Sequence, residues 1–283
     1  MSAQPSAWRL SGLTVRQLIV HVWNAADSDE VLNRAATLSY SFLFSFFPLL
    51  LFIAALLSLV PVHHVIRQFM DSAAQVLPPQ AATEVRGTLR EIIAGSGQRG
   101  LISLGALTAL WASSTGLATL MSNLSVVYRV RDERPWWWRK VIAIGLTVVF
   151  AAFIIAATLL TMLSARLGAM LTRVVPMLLV LVAVDLLYYL APAGRRAWHW
   201  LTPGSLTCTV LWLVMSFGLR VYVGNFGHYD VMYGAIGGLI LFLLWLFLSS
   251  FALLIGAEVN RVIDDAAGLA APLRRLESAQ RVA

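Results

Sequence analysis

Six long stretches of the chain carry almost no charged residue, and polar segments separate them. A run of about 20 apolar residues is long enough to cross the hydrocarbon core of a bilayer as an α-helix. A helix on the surface of a soluble protein would instead repeat a charged face along its length. The pattern therefore predicts six membrane-spanning helices, at about residues 35–61, 101–127, 140–164, 174–192, 204–223 and 234–257.

The remaining segments are predicted to form an arm, a loop and a tail around one membrane domain at 35–260. Residues 1–34 form the arm, whose apolar positions between 13 and 25 fall on one side, as in a helix lying at a membrane interface. A helix packed on the ends of the bundle fits equally well. Residues 62–100 are predicted as an extracytoplasmic loop with two short helices, and 261–283 as a polar tail. The fold class is thus an all-α polytopic membrane protein with an N-terminal interfacial helix.

Composition agrees with this class, and the charge distribution adds an orientation. The chain is 59% hydrophobic and 12% charged, with a net charge of +7 at pH 7. With the N-terminus in the cytoplasm, the inner segments hold 14 lysines and arginines and the outer segments hold 6. The positive-inside rule then places both termini in the cytoplasm. The basic segments are expected to contact anionic membrane lipids rather than nucleic acid. No signal peptide is expected, because the first apolar run begins only at residue 35.

Small residues and one proline predict how the helices pack. Pro48 lies inside the first predicted helix and is expected to kink it, because proline removes a backbone donor. Along the second helix, residues at spacings of three and four share one stripe, and small side chains let helix backbones approach closely in lipid. The stripe consists of Gly105, Ala109, Ala112, Gly116, Thr119 and Asn123. The second helix is therefore predicted to be central in the bundle.

Two ionisable residues fall inside predicted helices, where a charge at the bilayer centre costs at least roughly 2.5–3.5 kcal/mol. Asp185 is expected about 17 Å into its helix, somewhat past the midplane, and is the first candidate for a substrate or proton path. The alternative, of nearly equal weight, is a hydrogen-bonded contact with Tyr188 or a serine of another helix. Arg220 lies near the outer end of its helix. Pairing with headgroups or Asp230 is favoured for Arg220 over binding an anionic lipid or substrate.

A structural charge network is predicted at the cytoplasmic face. Glu258 ends the last helix and Arg34 begins the first at the same face, so the two are expected to pair or to share a network with Asn260 beside them.

Neither a metal site nor a cofactor is predicted. His63 and His64 are adjacent, so their side chains would diverge on a helix, and no third ligand stands at helical spacing. A nucleophile–base pair is also missing from the pattern, which argues against an enzyme. The single cysteine, Cys208, excludes an intrachain disulfide.

Short motifs lie in and between the apolar runs. They are Ala35-Ala36-Thr37-Leu38-Ser39-Tyr40, Ser45-Phe46-Phe47-Pro48, Trp111-Ala112-Ser113, Pro203-Gly204, the stretch from Tyr222 to Gly234 and Gly256-Ala257-Glu258-Val259-Asn260. Over about residues 12–264 the chain resembles the YihY/BrkB family of bacterial inner-membrane proteins. The resemblance implies six transmembrane helices in the bacterial inner membrane and a poorly defined activity, with links to serum resistance, envelope lipid handling and transport.

The same resemblance bears on individual residues. An older label for some members, ribonuclease BN, is judged mistaken here, because the five histidines are scattered and form no catalytic cluster. Ser39-Tyr40-Ser41 stands where many members have Ala-Tyr-Tyr. Asn225 and Tyr233, in the family-like outer stretch, complete the candidate substrate path with Asp185 and Arg220.

Two functions remain open from the sequence. The first is transport or translocation of a lipid or amphipathic solute, which the two intramembrane charges favour and which a short repeat, 108–111 and 209–212, fits as part of a 3+3 inverted arrangement. The second is a non-transporting scaffold or envelope-integrity factor. A cavity lined by Asp185 would favour transport, and a fully satisfied bundle would favour the scaffold. Membrane lipids are the expected partners, and homo-oligomerisation is left open.

Overall fold

The computed structural model describes residues 14–58, 99–167, 169–193, 201–226 and 229–268, and the structural statements below concern these residues. Every regular element in these ranges is an α-helix. The helices are α1 (Val15–Ser28), α2 (Val31–Ser58), α3 (Arg99–Val127), α4 (Trp136–Leu167), α5 (Ala169–Leu190), α6 (Pro203–Phe226) and α7 (Tyr229–Ala266). The all-α class is therefore confirmed, and α2 to α7 correspond to the six predicted helices.

Four helices contain segments that are long and apolar enough to cross a membrane. These segments are Val31–Ile53, Trp136–Leu160, Pro203–Val223 and Gly237–Ala266, and α5 adds a shorter apolar segment, Val174–Leu190. Most of the predicted outer loop and tail lies outside the described residues.

Helix α1 lies against the bundle with one face and leaves the other face open. Thr14 caps it, since its side chain and that of Gln17 form reciprocal bonds at the helix start. Val22 and Ala25 are buried against apolar residues near the end of α7. The opposite face is apolar but exposed, including Trp23 at 72%. Helix α1 thus packs on the bundle with one face, and its exposed apolar residues are of the kind found in helices at a membrane interface.

The largest buried core lies at one end of the bundle, which we call the α1 end. It consists of the early residues of α2, α4 and α6 and the late residues of α3, α5 and α7, next to α1. Helix α2 packs along both α3 and α7, and α6 packs mainly on α7. The most buried large side chains of this core are Leu38, Leu120, Met121, Leu124 and Leu254.

The opposite part, which we call the far half, consists of residues 148–160 of α4, 174–182 of α5, 210–221 of α6 and 239–244 of α7. Apolar side chains dominate its surface. Val214 and Phe217 of α6, for example, are 63% and 68% exposed.

The predicted packing stripe of α3 is only partly used for close contact. Ala109 is buried, and a Cβ at Gly116 would approach the side chain of Ser45 in α2 to 2.9 Å. In contrast, a Cβ at Gly105 would meet no atom within 4 Å, and Ala112 is exposed. Gly105 and Ala112 therefore make no close contact with the described residues, and the close packing predicted for the stripe is seen only at Ala109 and Gly116. Pro48 lies inside the continuous helix α2.

Candidate functional site

The side chain of Asp185, near the end of α5, is hydrogen-bonded to the segment that precedes α6. The side chain is buried, and both carboxylate oxygens accept hydrogen bonds from the segment before α6. Oδ2 accepts from the backbone of Leu201 at 3.1 Å, and Oδ1 accepts from the backbone and hydroxyl of Thr202 at 3.2 and 2.8 Å. Asp185 thus makes a hydrogen-bonded contact between helices, which was the second of the two interpretations drawn from the sequence. Its partners are Leu201 and Thr202, not Tyr188 or a serine.

The position of Asp185 along the bundle also differs from the depth estimate. Helix α5 begins at Ala169, earlier than the predicted residue 174, and ends at Leu190. Asp185 is therefore little more than one turn from the end of its helix and lies at the α1 end, not just past the middle.

Thr202 extends this contact from α5 to α7. As the N-cap of α6, its hydroxyl accepts from the backbone of Ser205 at 3.2 Å. The same hydroxyl accepts from Asn260 Nδ2 of α7 at 3.1 Å, and Asn260 Oδ1 accepts from the backbone of Gly204 at 2.8 Å. Three helices therefore meet through one connected set of hydrogen bonds.

Two glycines allow this close approach of α6 and α7. A Cβ placed on Gly204 would overlap the carbonyl oxygen of Gly256, and a Cβ on Gly256 would overlap the hydroxyl of Tyr188. The hydroxyl of Tyr188 donates to the carbonyl oxygen of Leu253 at 2.7 Å. The Pro203-Gly204 and Gly256-to-Asn260 motifs, far apart in sequence, are thus two sides of one contact.

A second buried polar cluster surrounds Glu258. Its carboxylate Oε2 accepts from Arg261 Nε at 2.9 Å, and Arg261 Nη1 donates to Asp265 Oδ2, also at 2.9 Å. Glu258 is 0% exposed and Arg261 is 7% exposed. The Asp29 carboxyl group, from the turn between α1 and α2, lies within hydrogen-bonding reach of Glu258.

Arg34 reaches this cluster only indirectly. Its Nε donates to the backbone carbonyl of Asp29 at 2.7 Å, and its Nη1 lies 3.5 Å from Asn123 Oδ1 of α3. The expected direct pair of Arg34 with Glu258 is therefore wrong, whereas the shared network is formed through Asp29. The physical reason is local, because Arg261 is one helical turn from Glu258 on the same face.

The sequence analysis missed Asp29, Arg129, Thr202 and Arg261. Spacing alone could have found Arg261 and Asp265, three and seven residues after Glu258. Arg129, two residues after the end of α3, has a positive φ of 54° and places its guanidinium 3.6 Å from Asp29. That contact and the one between Thr202 and Asn260 join residues distant in sequence, so no local pattern signals them.

Arg220 is in a different setting from the other candidates. It lies on the exposed, apolar face of α6 and makes no hydrogen bond or ion pair with the part of the chain described. The side chains of Asp230, Asn225 and Tyr233 lie outside the described residues. The structure therefore does not bring the four candidate path residues together, since Asp185 is engaged at the opposite end of α6.

Polar contacts also fasten the connection between α3 and α4. Lys140 donates to the carbonyl oxygen of Trp111 at 2.9 Å and lies 4.7 Å from the centre of its ring. In the loop, Arg134 donates to both oxygens of Asp132 at 2.8 and 3.1 Å. Burial acts to raise the pKa of Asp132, but hydrogen bonds from Arg134 and the charges of Arg134 and Arg139 outweigh it and lower this pKa.

The chemistry available in the described residues is that of hydrogen bonding and charge pairing. Among them, no group of three or more histidine, cysteine, aspartate or glutamate side chains is arranged to hold a metal ion. An open cleft of about 460 Å³ lies at the α1 end beside the Glu258 cluster. Residues that line it include His21, Asn24, Ser28, Arg129, Arg261 and Asp265.

Comparisons with known proteins identify the family of the chain and several of its relatives. A family model described as Virulence factor BrkB matches residues 22–280. The ribonuclease-like protein YfkH of Bacillus subtilis (strain 168) is 26% identical over 248 residues, which cover 82% of this chain and 89% of YfkH. The UPF0761 membrane protein Smlt0865 of Stenotrophomonas maltophilia (strain K279a) is 25% identical over 253 residues, 84% of this chain and 59% of that protein.

A third relative matches with a similar identity and a similar share of each chain covered. The UPF0761 membrane protein XOO3417 of Xanthomonas oryzae pv. oryzae (strain MAFF 311018) is 25% identical over 255 residues, 84% of this chain and 58% of its own length. The chain thus spans about three fifths of these two UPF0761 proteins. No solved structure matches the chain. Since the family model covers residues 22–280, and relatives are named as membrane proteins, the chain belongs to the BrkB family of membrane proteins.

Proposed function

We propose that the chain crosses the bacterial inner membrane six times and translocates an anionic amphipathic solute, with a phospholipid as the solute class. Helix lengths support six crossings. Helix α3 has 29 residues and α5 has 22, which correspond to about 43 and 33 Å at 1.5 Å per residue. Both lengths exceed a hydrocarbon core of about 30 Å.

The orientation is supported by the charges at the α1 end. Helix α7 has 38 residues, about 57 Å, so a large part of it extends beyond the hydrocarbon core. Arg34, Arg129, Arg134 and Arg261 all lie at this end, outside the spans predicted from the sequence at about 35–61, 101–127, 140–164 and 234–257. The positive-inside rule favours a cytoplasmic location for this end, and therefore for both termini.

The observation that carries the proposed function is the setting of Arg220. An arginine inside an apolar helix normally faces a partner or a watery cavity, because an uncompensated charge is costly in lipid. Here it lies among exposed apolar side chains of α6 and has no partner in the described residues. An anionic headgroup with acyl chains beside it would satisfy both the guanidinium and the apolar surface.

The contact between α5 and α6 supports an opening next to this arginine. Helix α6 packs much less extensively on α5 than on α7. The bonds from Asp185 to Leu201 and Thr202 hold the two helices together at the α1 end, while apolar residues of both are exposed in the far half. A solute could enter between α5 and α6 from the bilayer. Asp185 then acts as an anchor, and Arg220 contacts the solute.

A ribonuclease activity has less support. Hydrolysis of RNA needs a general acid and base or a bound metal. The described residues offer no three-ligand metal group, and the buried Asp185 and Glu258 are already engaged with Leu201, Thr202 and Arg261. The ribonuclease-like name belongs to YfkH alone among the relatives reported above.

The test is lipid translocation in proteoliposomes of phosphatidylglycerol and phosphatidylcholine, with a fluorescent phosphatidylglycerol that is quenched from outside. We expect the native protein to accelerate loss of fluorescence from the inner leaflet, and Arg220→Gln to remove at least half of that acceleration. Arg220→Lys should retain most of it, because it keeps the charge. Arg16→Gln, an exposed arginine of α1, is the matched control and should translocate like the native protein.

A second candidate function is a scaffold, which the exposed apolar face of α6 also favours. Residues such as Val214 and Phe217 could contact a partner helix instead of lipid. If the phospholipid crosses the bilayer at the same rate in proteoliposomes and in protein-free liposomes, the protein does not translocate phospholipids. The scaffold is then the preferred function. If Arg220→Gln is as active as the native protein, Arg220 is not the solute contact.

A further inference from the structure

The carboxyl groups of Asp29 and Glu258 meet where the turn between α1 and α2 packs against α7. Each group directs one oxygen to an arginine. Glu258 Oε2 accepts from Arg261 at 2.9 Å, and Asp29 Oδ1 lies 3.6 Å from Arg129 Nη2. The other oxygens, Glu258 Oε1 and Asp29 Oδ2, are buried without any hydrogen-bond donor. These are the atoms available for a bond between the two groups, which lie within hydrogen-bonding reach.

Two ionised carboxyl groups could not form that bond. An ionised carboxyl group only accepts hydrogen bonds, so both free oxygens would remain unsatisfied, and the two negative charges would repel. Retaining one proton turns one group into a donor. A single O–H···O⁻ bond then satisfies both oxygens and removes one buried charge.

The neighbouring cations do not remove this requirement. Arg261 is divided between Glu258 and Asp265, so one guanidinium faces two carboxylates. Arg129 is partly exposed, with 46% of its side chain accessible, and water screens its interaction with Asp29.

Two further groups complete the surroundings. Arg34 donates to the backbone carbonyl of Asp29 and points toward Asn123, not to either carboxyl oxygen. His21 of α1 is exposed and lines the open cleft next to the pair, which Arg129, Arg261 and Asp265 also line. The cleft thus reaches both arginines that contact the pair.

We propose that Asp29 and Glu258 form a proton-binding site, in which one shared proton holds the turn between α1 and α2 against α7. A proton fits better than a metal cation, because the described residues contain no three-ligand group and arginines flank the pair. The site is independent of the proposed translocation, since it lies at the other end of the molecule from Arg220. Loss of the proton should weaken the attachment of α1 and its neighbouring turn to α7.

The test is infrared difference spectroscopy of the full-length purified protein between about pH 6 and about pH 9, where an ordinary carboxyl group is already ionised. We expect a carbonyl band of a protonated carboxylic acid that is lost as pH rises. Glu258→Gln and Asp29→Asn should each remove this band. Asp265→Asn, which also neutralises a carboxylate on Arg261, is the matched control and should retain it.

The pH dependence of protein stability tests the shared proton without relying on the assignment of an infrared band. In the native protein the folded state binds a proton that the unfolded state has released, so stability should fall as pH rises from about 6 to about 9. Asp29→Asn should flatten that dependence, and this variant serves if Glu258→Gln does not fold. An unchanged band and slope in Asp29→Asn would overturn the site. A sodium-dependent shift of the thermal midpoint at constant pH, lost in Asp29→Asn, would replace the proton by a cation.

Discussion

Helices α4 to α7 contribute residues both to the α1 end and to the far half, but the two regions are held together differently. At the α1 end, backbones touch through Gly204 and Gly256, and buried polar groups bridge α5, α6 and α7. In the far half, the apolar side chains of α4 to α6 are largely exposed, and Arg220 has no partner among the described residues.

The two regions differ in whether the contacts between their helices are directional. Directional hydrogen bonds and ion pairs at the α1 end permit few alternative arrangements, because each broken bond leaves a buried polar group unsatisfied. Apolar contacts in the far half are non-directional, and lipid can replace them. The proposed translocation requires the helices to separate in the far half while remaining joined at the α1 end.

The largest expected effect comes from removing the arginine that balances the buried acids. Arg261→Met should leave Glu258, beside Asp29, without a cation, and breaking a buried pair in this way costs roughly 3–5 kcal/mol. The loss of stability is measured by thermal unfolding of the purified protein in detergent. Arg220→Met is the matched control in the far half and should change stability by less than about 0.5 kcal/mol. Equal losses in both variants would contradict the contrast between the two regions.

Overpacking should distinguish the regions within one helix. Gly204→Leu places a side chain against the backbone of Gly256 and should destabilise the fold by at least about 1–3 kcal/mol. Gly218→Leu, also in α6, is the control, because a Cβ there meets nothing within 4 Å. The comparison is made by unfolding temperature. A tolerated Gly204→Leu would mean that α6 and α7 are not closely joined at the α1 end.

The anchor between α5 and α6 should behave as one unit. Asp185→Ala leaves the backbone donors of Leu201 and Thr202 without their acceptor and should cost about 1–3 kcal/mol. Thr202→Val removes the hydroxyl from the same network. The double variant should lose less than the sum of the two single losses, because the residues share partners. Fully additive losses in a denaturation series would show that Asp185 and Thr202 act separately.

The smallest expected effect lies in the loop between α3 and α4. The pKa of Asp132 is lowered in the folded protein, so its bond with Arg134 stabilises at neutral pH and is lost as pH falls below the ordinary pKa of aspartate. Asp132→Asn should cost up to about 1 kcal/mol at neutral pH, as for a partly exposed pair. Thermal midpoints of the variant and the native protein should converge as pH falls through the lowered pKa of Asp132.

Sequence patterns located the helices better than their contacts. Apolar runs predicted α2 to α7, although α5 begins at Ala169 and α7 continues to Ala266. Glu258 was expected to pair with Arg34 or to share a network with Arg34 and Asn260, because both ends of these helices lie at one face. In the structure Asn260 instead bonds with Gly204 and Thr202 in a separate cluster. The partner of Glu258 in the structure, Arg261, follows from the helix's own geometry.

The sequence by itself determined the all-α class, the apolar runs that form α2 to α7 in the described residues and the segments in which basic residues gather. Hydrophobic length and charge are local properties of the chain. Only the tertiary structure decided which polar residues meet. Asp29 reaches Glu258, and Thr202 joins Asp185 to Asn260, across sequence separations that no periodic pattern spans. Packing of α1, α5, α6 and α7 at one end brings these groups together. Because the groups are buried, losing a partner would leave a polar group unsatisfied, which destabilises the fold.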